Sequence, residues 1–285
     1  MKIELIDTGY FHADGGAMFG AIPKTAWSRR YPSDEKNGCI LAMRCVLVTT
    51  DDGRIILIDT GAGDKHLHLL SYYRFFDLVD LTDELLKRGV HPEQVTDVVL
   101  THLHFDHCGY VTRKNVQSEG KEAFILSFPN AAHWVGRKQW DNFLRPNALE
   151  KDSYFLENMQ KVADDRKLRL IEEDTELCQG VNLRLFDGHT PGQIAPYLET
   201  PEQTYVFAGD VIPLEASVSP EWISAYDTYP VISYSEKIRM LEEAAENGQA
   251  LIYCHDAYSS CSTVKKVNDF YKKDRRIDLP GNENL

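Results

Sequence analysis

Three imidazoles and a carboxylate fall within six residues in the run Thr101, His102, Leu103, His104, Phe105, Asp106, His107, and this run constrains the chain more than any other feature. Such groups held close together need hydrogen-bond partners or a cation, so the fold must bring them where one exists. The preceding stretch 95–101 (VTDVVLT) is apolar and β-branched. It predicts a buried strand that ends just before the cluster and delivers it onto a loop at a sheet edge. With strand-like spacing His102 and His104 point the same way, while Asp106 and His107 lie on the turn beyond and approach from another side. One loop can therefore feed two neighbouring metal ions.

The same placement recurs later in the chain. Segments 181–189 (VNLRLFDGH), 193–200 (QIAPYLET) and 204–210 (TYVFAGD) read as short strands, and 251–256 (LIYCHD) as another. His189, Asp210 and His255 each stand at the end of one of them. In the first half, 39–48 and 54–59 flank Asp52-Gly53, a hairpin turn signal, and 81–88 reads as a helix with Thr82 as N-cap and Gly89 as its stop. A second helix is expected over 233–248, with Ser233 and Glu236 as a capping box and Gly248 as the stop. Each half thus runs from strands through a helix into a strand whose C-terminal end carries His or Asp. The pattern predicts an α/β (α+β) mixed sandwich of two similar halves packed face to face.

With 285 residues, 43% of them hydrophobic, and no Pro, Gly or Ser-rich linker, the chain is expected to fold as one domain. A net charge of -13, from 44 acidic against 31 basic residues, opposes binding to nucleic acid. No leader pattern or long apolar run is visible, so no membrane association and a cytoplasmic location are expected. The six cysteines form no Cys-x-x-Cys pair and read as reduced, mostly buried thiols, Cys108 and Cys254 included.

The motif His-x-His-x-Asp-His at 102–107, with Asp59-Thr60-Gly61, the Gly-His-Thr-Pro-Gly loop at 188–192, Gly209-Asp210 and the late His255, resembles the metallo-β-lactamase-fold hydrolases over 40–260. The N-terminal stretch from His12 to Gly20, with Pro23, Lys24 and Trp27, is similar to the quorum-quenching N-acyl-homoserine lactonase branch, YtnP-like lactonases and methyl-parathion-hydrolase-like relatives in particular. The resemblance implies a four-layer αββα sandwich, with 1–39 as an N-terminal lid or extension and 40–260 as the core carrying the metal motifs. It implies two divalent cations, zinc first, with manganese, iron or cobalt compatible with the same donors. His102, His104 and His189 would hold one ion, Asp106, His107 and His255 the other, and Asp210 would bridge them. Asp59 is expected to orient a ligand by accepting a ring N–H.

A shared hydroxide would then attack a lactone or carboxylic ester, with Asp106 as proton carrier as well as ligand. In the lactonases a tyrosine shortly after the bridging aspartate binds the substrate carbonyl, but Asp210 is followed by Val211, Ile212 and Pro213. Tyr226, Tyr229 or Tyr258 are the candidates to replace it. Met18, Phe19, Trp27, Phe105 and Trp222 are expected to wall the substrate pocket, with the Met18 segment as a lid. The expected partner is a small ester or lactone, and the protein a monomer or homodimer. The alternatives are an organophosphate triesterase or a phosphodiesterase on the same metal pair, an iron-dependent redox enzyme of the same fold, and a silent binding module.

Overall fold

The computed structural model describes residues 1–115 and 124–281. Two mixed sheets face each other. The first contains β1 (Lys2–Asp14), β2 (Gly38–Thr49), β3 (Ile55–Ile58), β4 (Asp97–Val99), β7 (Ala132–Gly136) and β8 (Leu168–Ile171), in that spatial order. Strands β5 (Thr112–Lys114) and β6 (Phe124–Leu126) form a separate ribbon. The second sheet runs β15 (Phe270–Arg276), β14 (Cys261–Val267), β13 (Ala250–Ile252), β12 (Thr204–Phe207), β11 (Gln193–Glu199), β10 (Val181–Phe186) and β9 (Thr175–Cys178).

Alternation along the strands explains the layers. In β2, Cys45 and Leu47 face a cluster with Leu81, Leu85, Met159 and Val162, whereas Val46 and Val48 face Val181, Leu183, Ile194 and Leu198 of the second sheet. In β12 and β13, Phe207 and Ile252 join that middle cluster, while Val206 and Leu251 turn to Met240, Leu241 and Ala244. Strands buried on both faces read as continuous apolar runs, as these do. The outer layers are α3 (Leu81–Lys87), α5 (Arg137–Leu144) and α6 (Leu156–Asp164) on one side and α7 (Pro230–Asn247) on the other. The order of layers is α, β, β, α.

The expected hairpin forms, with Val46 opposite Ile58 and Thr49 opposite Ile55. Two helix starts differ from expectation. Asp80, not Thr82, caps α3 by accepting the backbone N–H groups of Thr82 and Asp83. Helix α7 begins three residues early, with Pro230 at its first turn, where the fixed φ suits a helix and the missing N–H costs nothing. Ser233 therefore lies inside the helix, and Glu236 is free for another task. Residues 2–14 are integral to the first sheet, paired along β2 with Ile3 and Leu5 in the inter-sheet core. Only the segment beyond, with the short helices α1 (Gly15–Phe19) and α2 (Lys24–Trp27), lies against the site as an extension.

Candidate metal centre

The carboxyl ends of β3, β4, β10, β12 and β13 open on one side of the sandwich, which is where open sheets place ligands. Asp59 follows β3, and His102 and His104 follow β4. Asp106 and His107 lie on the one-turn helix α4 (Phe105–Cys108), while His189, Asp210 and His255 follow β10, β12 and β13. All seven side chains expected as ligands converge here. His102, His104 and His189 form one group, and Asp106, His107 and His255 another, with the donor atoms of each group within 4.8 Å of one another. Asp210 stands between them, Oδ2 3.3 Å from His189 Nε2 and Oδ1 3.1 Å from His255 Nε2.

Each ring is anchored from behind, His102 with its Nδ1 against the Thr101 hydroxyl (3.1 Å). The Nδ1–H of His107 donates to Asp59 Oδ2 (2.8 Å), that of His189 to Asp227 Oδ1 (2.9 Å), and that of His255 to the Ala42 carbonyl (2.8 Å). His104 is turned the other way and donates from Nε2 to Glu150 Oε2 (3.1 Å). Asp59 accepts as well from the Thr101 backbone N–H (2.7 Å) and hydroxyl (2.8 Å), with its own φ at 58°. Asp59 thus lies behind His107 rather than among the inward-facing donors. Cys254 donates its S–H to Asp210 (3.1 Å), and Cys108 donates to the Leu103 carbonyl. None of the six cysteines is in a disulfide.

With the outer nitrogens committed as donors, the inner ones present lone pairs to each other. His107 Nε2 and His255 Nε2 are 3.2 Å apart, and His104 Nδ1 and His189 Nε2 3.3 Å. The buried Nε2 of His102 has no hydrogen-bond partner among the described residues. Acceptors facing acceptors in a dry site are costly unless a proton or cation lies between them. Donors at about 2.0–2.1 Å from a tetrahedral ion are separated by about 3.3 Å, so the spacing fits a metal such as zinc. Burial and the neighbouring imidazoles push the His102 pKa well down, while at His107 burial is outweighed by Asp106, Asp59 and Asp210, and at His189 by Asp210 and Asp227, which raise it.

The centre opens into a cavity of about 140 Å³. Phe11, Met18, Leu41, Tyr73 and Phe105 form its apolar side, and Asp106, Glu150, Asp210 and Asp227 reach it from the polar side. Among the described residues no Lys or Arg lines it. Of the five residues expected as its wall, Met18 and Phe105 are there. Phe19, Trp27 and Trp222 are not, because they pack on one another behind Met18, with Phe19 stacked on Trp27 (4.9 Å) and edge-on to Trp222 (5.8 Å). Tyr226 lines the cavity, whereas Tyr229 just precedes α7 with 44% of its surface exposed and Tyr258 packs on Tyr31.

Sequence reading missed Tyr73, Asp227 and Glu150. Asp227 and Glu150 lie 38 and 46 residues from the imidazoles they hold, and no local pattern marks them. Glu236, expected in a capping box, instead accepts the backbone N–H groups of Asp187 and Gly188 (both 2.8 Å), so α7 fixes the loop carrying His189. Gly188 permits that approach, since a Cβ there would meet Ser233 Cα at 2.4 Å.

Residues 44–113 match the family model of the Metallo-beta-lactamase superfamily. The N-acyl homoserine lactonase AiiA of Bacillus thuringiensis subsp. kurstaki is 26% identical over 229 residues, 75% of this chain and 80% of the relative. Among solved structures, a probable metal-dependent hydrolase from Staphylococcus aureus superposes with a TM-score of 0.85 at 28% identity, covering 97% of this chain and 98% of that one. AidC, a dizinc quorum-quenching lactonase in complex with a product, does so with a TM-score of 0.77 at 19% identity, covering 97% and 95%. The architecture is the metallo-β-lactamase fold expected from the motifs.

Proposed function

We propose that this metallo-β-lactamase-fold chain is a dinuclear metal-dependent hydrolase that opens lactones or cleaves neutral carboxylic esters. The observation that carries the reading is a bridged double set of inward-facing His and Asp donors beside a cavity with no Lys or Arg among its described lining residues. Outside the metal set, the described lining offers Glu150 and Asp227 but no Lys or Arg to grip the anionic flank of a phosphodiester, a grip that a neutral ester does not need. N-acyl-homoserine lactones are the first substrates to assay, because AiiA bears that name and the apolar side of the cavity suits an acyl arm.

Two divalent cations, zinc fitting the donor set, supply Lewis acidity toward a carbonyl and acidify water toward neutral pH when bound. His102, His104 and His189 would hold one, Asp106, His107 and His255 the other, with Asp210 shared. Asp106 Oδ2, 3.5 Å from His255 Nε2 and at the cavity wall, is placed to take a proton from attacking water and return it to the leaving oxygen. Phe11, Met18 and Phe105 exclude bulk water from this transfer. Tyr226 and Tyr73 offer phenol O–H groups to the developing oxyanion, in place of the tyrosine missing after Asp210. Burial raises the Tyr73 pKa and keeps its phenol protonated.

The test is metal quantification on the purified protein, followed by assays on lactones, aryl esters, phosphotriesters and phosphodiesters. Turnover of lactones or aryl esters that a chelator abolishes is the expected result. Activity confined to phosphodiesters, or indifferent to chelation, would refute the proposal.

A further inference from the structure

Glu150 is unlike the other outer anchors, because it is the centre of a buried polar plug that touches both halves of the sandwich. Its Oε2 accepts from His104 Nε2 (3.1 Å), the Tyr154 hydroxyl (2.8 Å) and the Thr190 hydroxyl (2.8 Å). Its Oε1 accepts from the side-chain amides of Asn142 (2.7 Å) and Asn147 (2.5 Å). Five donors fill the roughly four lone-pair sites of a carboxylate, so the group is fixed in place. Gln139 extends the plug, accepting the Leu103 backbone N–H (3.2 Å) and donating to Thr190 Oγ1 (2.9 Å). The plug thereby ties the loop of His104 to the residue next to His189.

Both of those imidazoles belong to the same donor group. The other group is held by different means, His107 by Asp59 and His255 by the Ala42 carbonyl, and no hydrogen bond joins either to the plug among the described residues. Glu150 thus reaches only the first set, whereas Asp59 reaches both, His107 directly and His102 through the Thr101 hydroxyl.

On the reading of a metal pair given above, we propose that Glu150 is a positioning residue with a one-sided effect. Through His104 it secures the cation held by His102, His104 and His189, and it leaves the cation held by Asp106, His107 and His255 unaffected. The physical reason is the ring's tautomer. A carboxylate can only accept from Nε2–H, which leaves the Nδ1 lone pair for the ion. A glutamine amide can present its NH₂ instead, moving the ring proton to Nδ1 and closing the donor.

The experiment reads metal content and chelator competition for the whole chain loaded with zinc, with circular dichroism to confirm the fold. Wild type is expected to take up two ions, and Glu150→Gln to lose one of them about 10–100-fold more readily while the second is released as in wild type. Asp59→Asn, which reaches His107 directly and His102 through Thr101, should loosen both ions and so gives the two-sided contrast. In a His189→Ala background, where the first site is already broken, Glu150→Gln should leave the remaining ion's affinity unchanged. Should Glu150→Gln fail to fold, Tyr154→Phe removes one donor to the carboxylate and should shift the same ion in the same direction, by less. Two ions in wild type with equal release of both in Glu150→Gln, or further loss in the His189→Ala background, overturns the inference alone. Wild type taking up fewer than two ions overturns the metal-pair reading and the inference with it.

Discussion

Arg44 is the severest test of how the two sheets are held in register at the candidate site. It lies on β2, fully buried, with Nε 2.8 Å from Asp7 Oδ1 and Nη2 2.9 Å from Oδ2. Its Nη1 donates to the carbonyls of Tyr253 (2.7 Å) and Asp256 (2.9 Å), which flank Cys254 and His255. The backbone adds Ala42 N–H to the His255 carbonyl (2.9 Å) and Arg44 N–H to the Cys254 carbonyl (3.0 Å). One side chain thus joins the first sheet to the loop presenting His255. Arg44→Met would leave the Asp7 carboxylate, whose side chain is 6% exposed, without its counter-ion, at a cost of about 3–5 kcal/mol. Two carbonyls would also lose a charged donor at about 1–3 kcal/mol each, and because the group acts as a unit the terms overlap. A loss near 5 kcal/mol is expected, comparable to the whole stability of a marginal domain, roughly 5–15 kcal/mol. Urea unfolding of metal-stripped protein measures it without the contribution of bound ions. The double variant Asp7→Leu with Arg44→Met removes the stranded charge and should recover at least about 2 kcal/mol of the loss. A single-variant cost under about 1 kcal/mol, or a double variant no better than the single, would refute the argument.

Four further outcomes are expected. Phe19→Ala should cost about 3–5 kcal/mol in urea unfolding and leave KM unchanged, while Met18→Ala should alter KM, because only Met18 reaches the cavity. Removing bound metal should lower Tm, since ions that bind only the folded chain stabilise it by mass action, and adding zinc back should restore it. Asp106→Asn that still holds both metals should lower kcat far more than it raises KM; unchanged turnover would remove Asp106 from proton transfer. Lys237 donates to the Trp222 carbonyl (2.7 Å), and burial pulls its pKa down to about 8. Between there and the free value of about 10.4 the unfolded chain holds a proton that the folded one lacks, so stability rises with pH across that window, by at most about 3 kcal/mol. Comparing Lys237→Met with wild type from pH 7.5 to 10 should show that rise removed.

The sandwich was legible because the strands carry their burial in their composition, and because a hairpin turn and a terminal glycine mark where elements stop. The convergence of seven ligand-type side chains was legible because each lies within a few residues of an apolar strand's end. The helix starts were harder to read, since Thr82 and Ser233 suit a cap in isolation and lost to Asp80 and Pro230 for reasons one residue pattern does not reveal. The aromatic wall failed for a different reason. Phe19, Trp27 and Trp222 are apolar whether they face a substrate or each other, and only packing distinguishes the two. Glu150, Asp227 and Tyr73 come from segments whose relation to the centre is purely tertiary.

Asp59 answers to two independent demands. Its backbone occupies a region that β-branched and bulky side chains enter at a penalty and that glycine, asparagine and aspartate tolerate. Its carboxylate meanwhile receives three donors, one of them an imidazole. Glycine meets the first demand and forfeits the second; glutamate keeps an acid but adds a methylene and strains the turn; asparagine keeps the shape and surrenders the charge. Every single replacement fails at least one requirement, so this position has no gradual route to another residue.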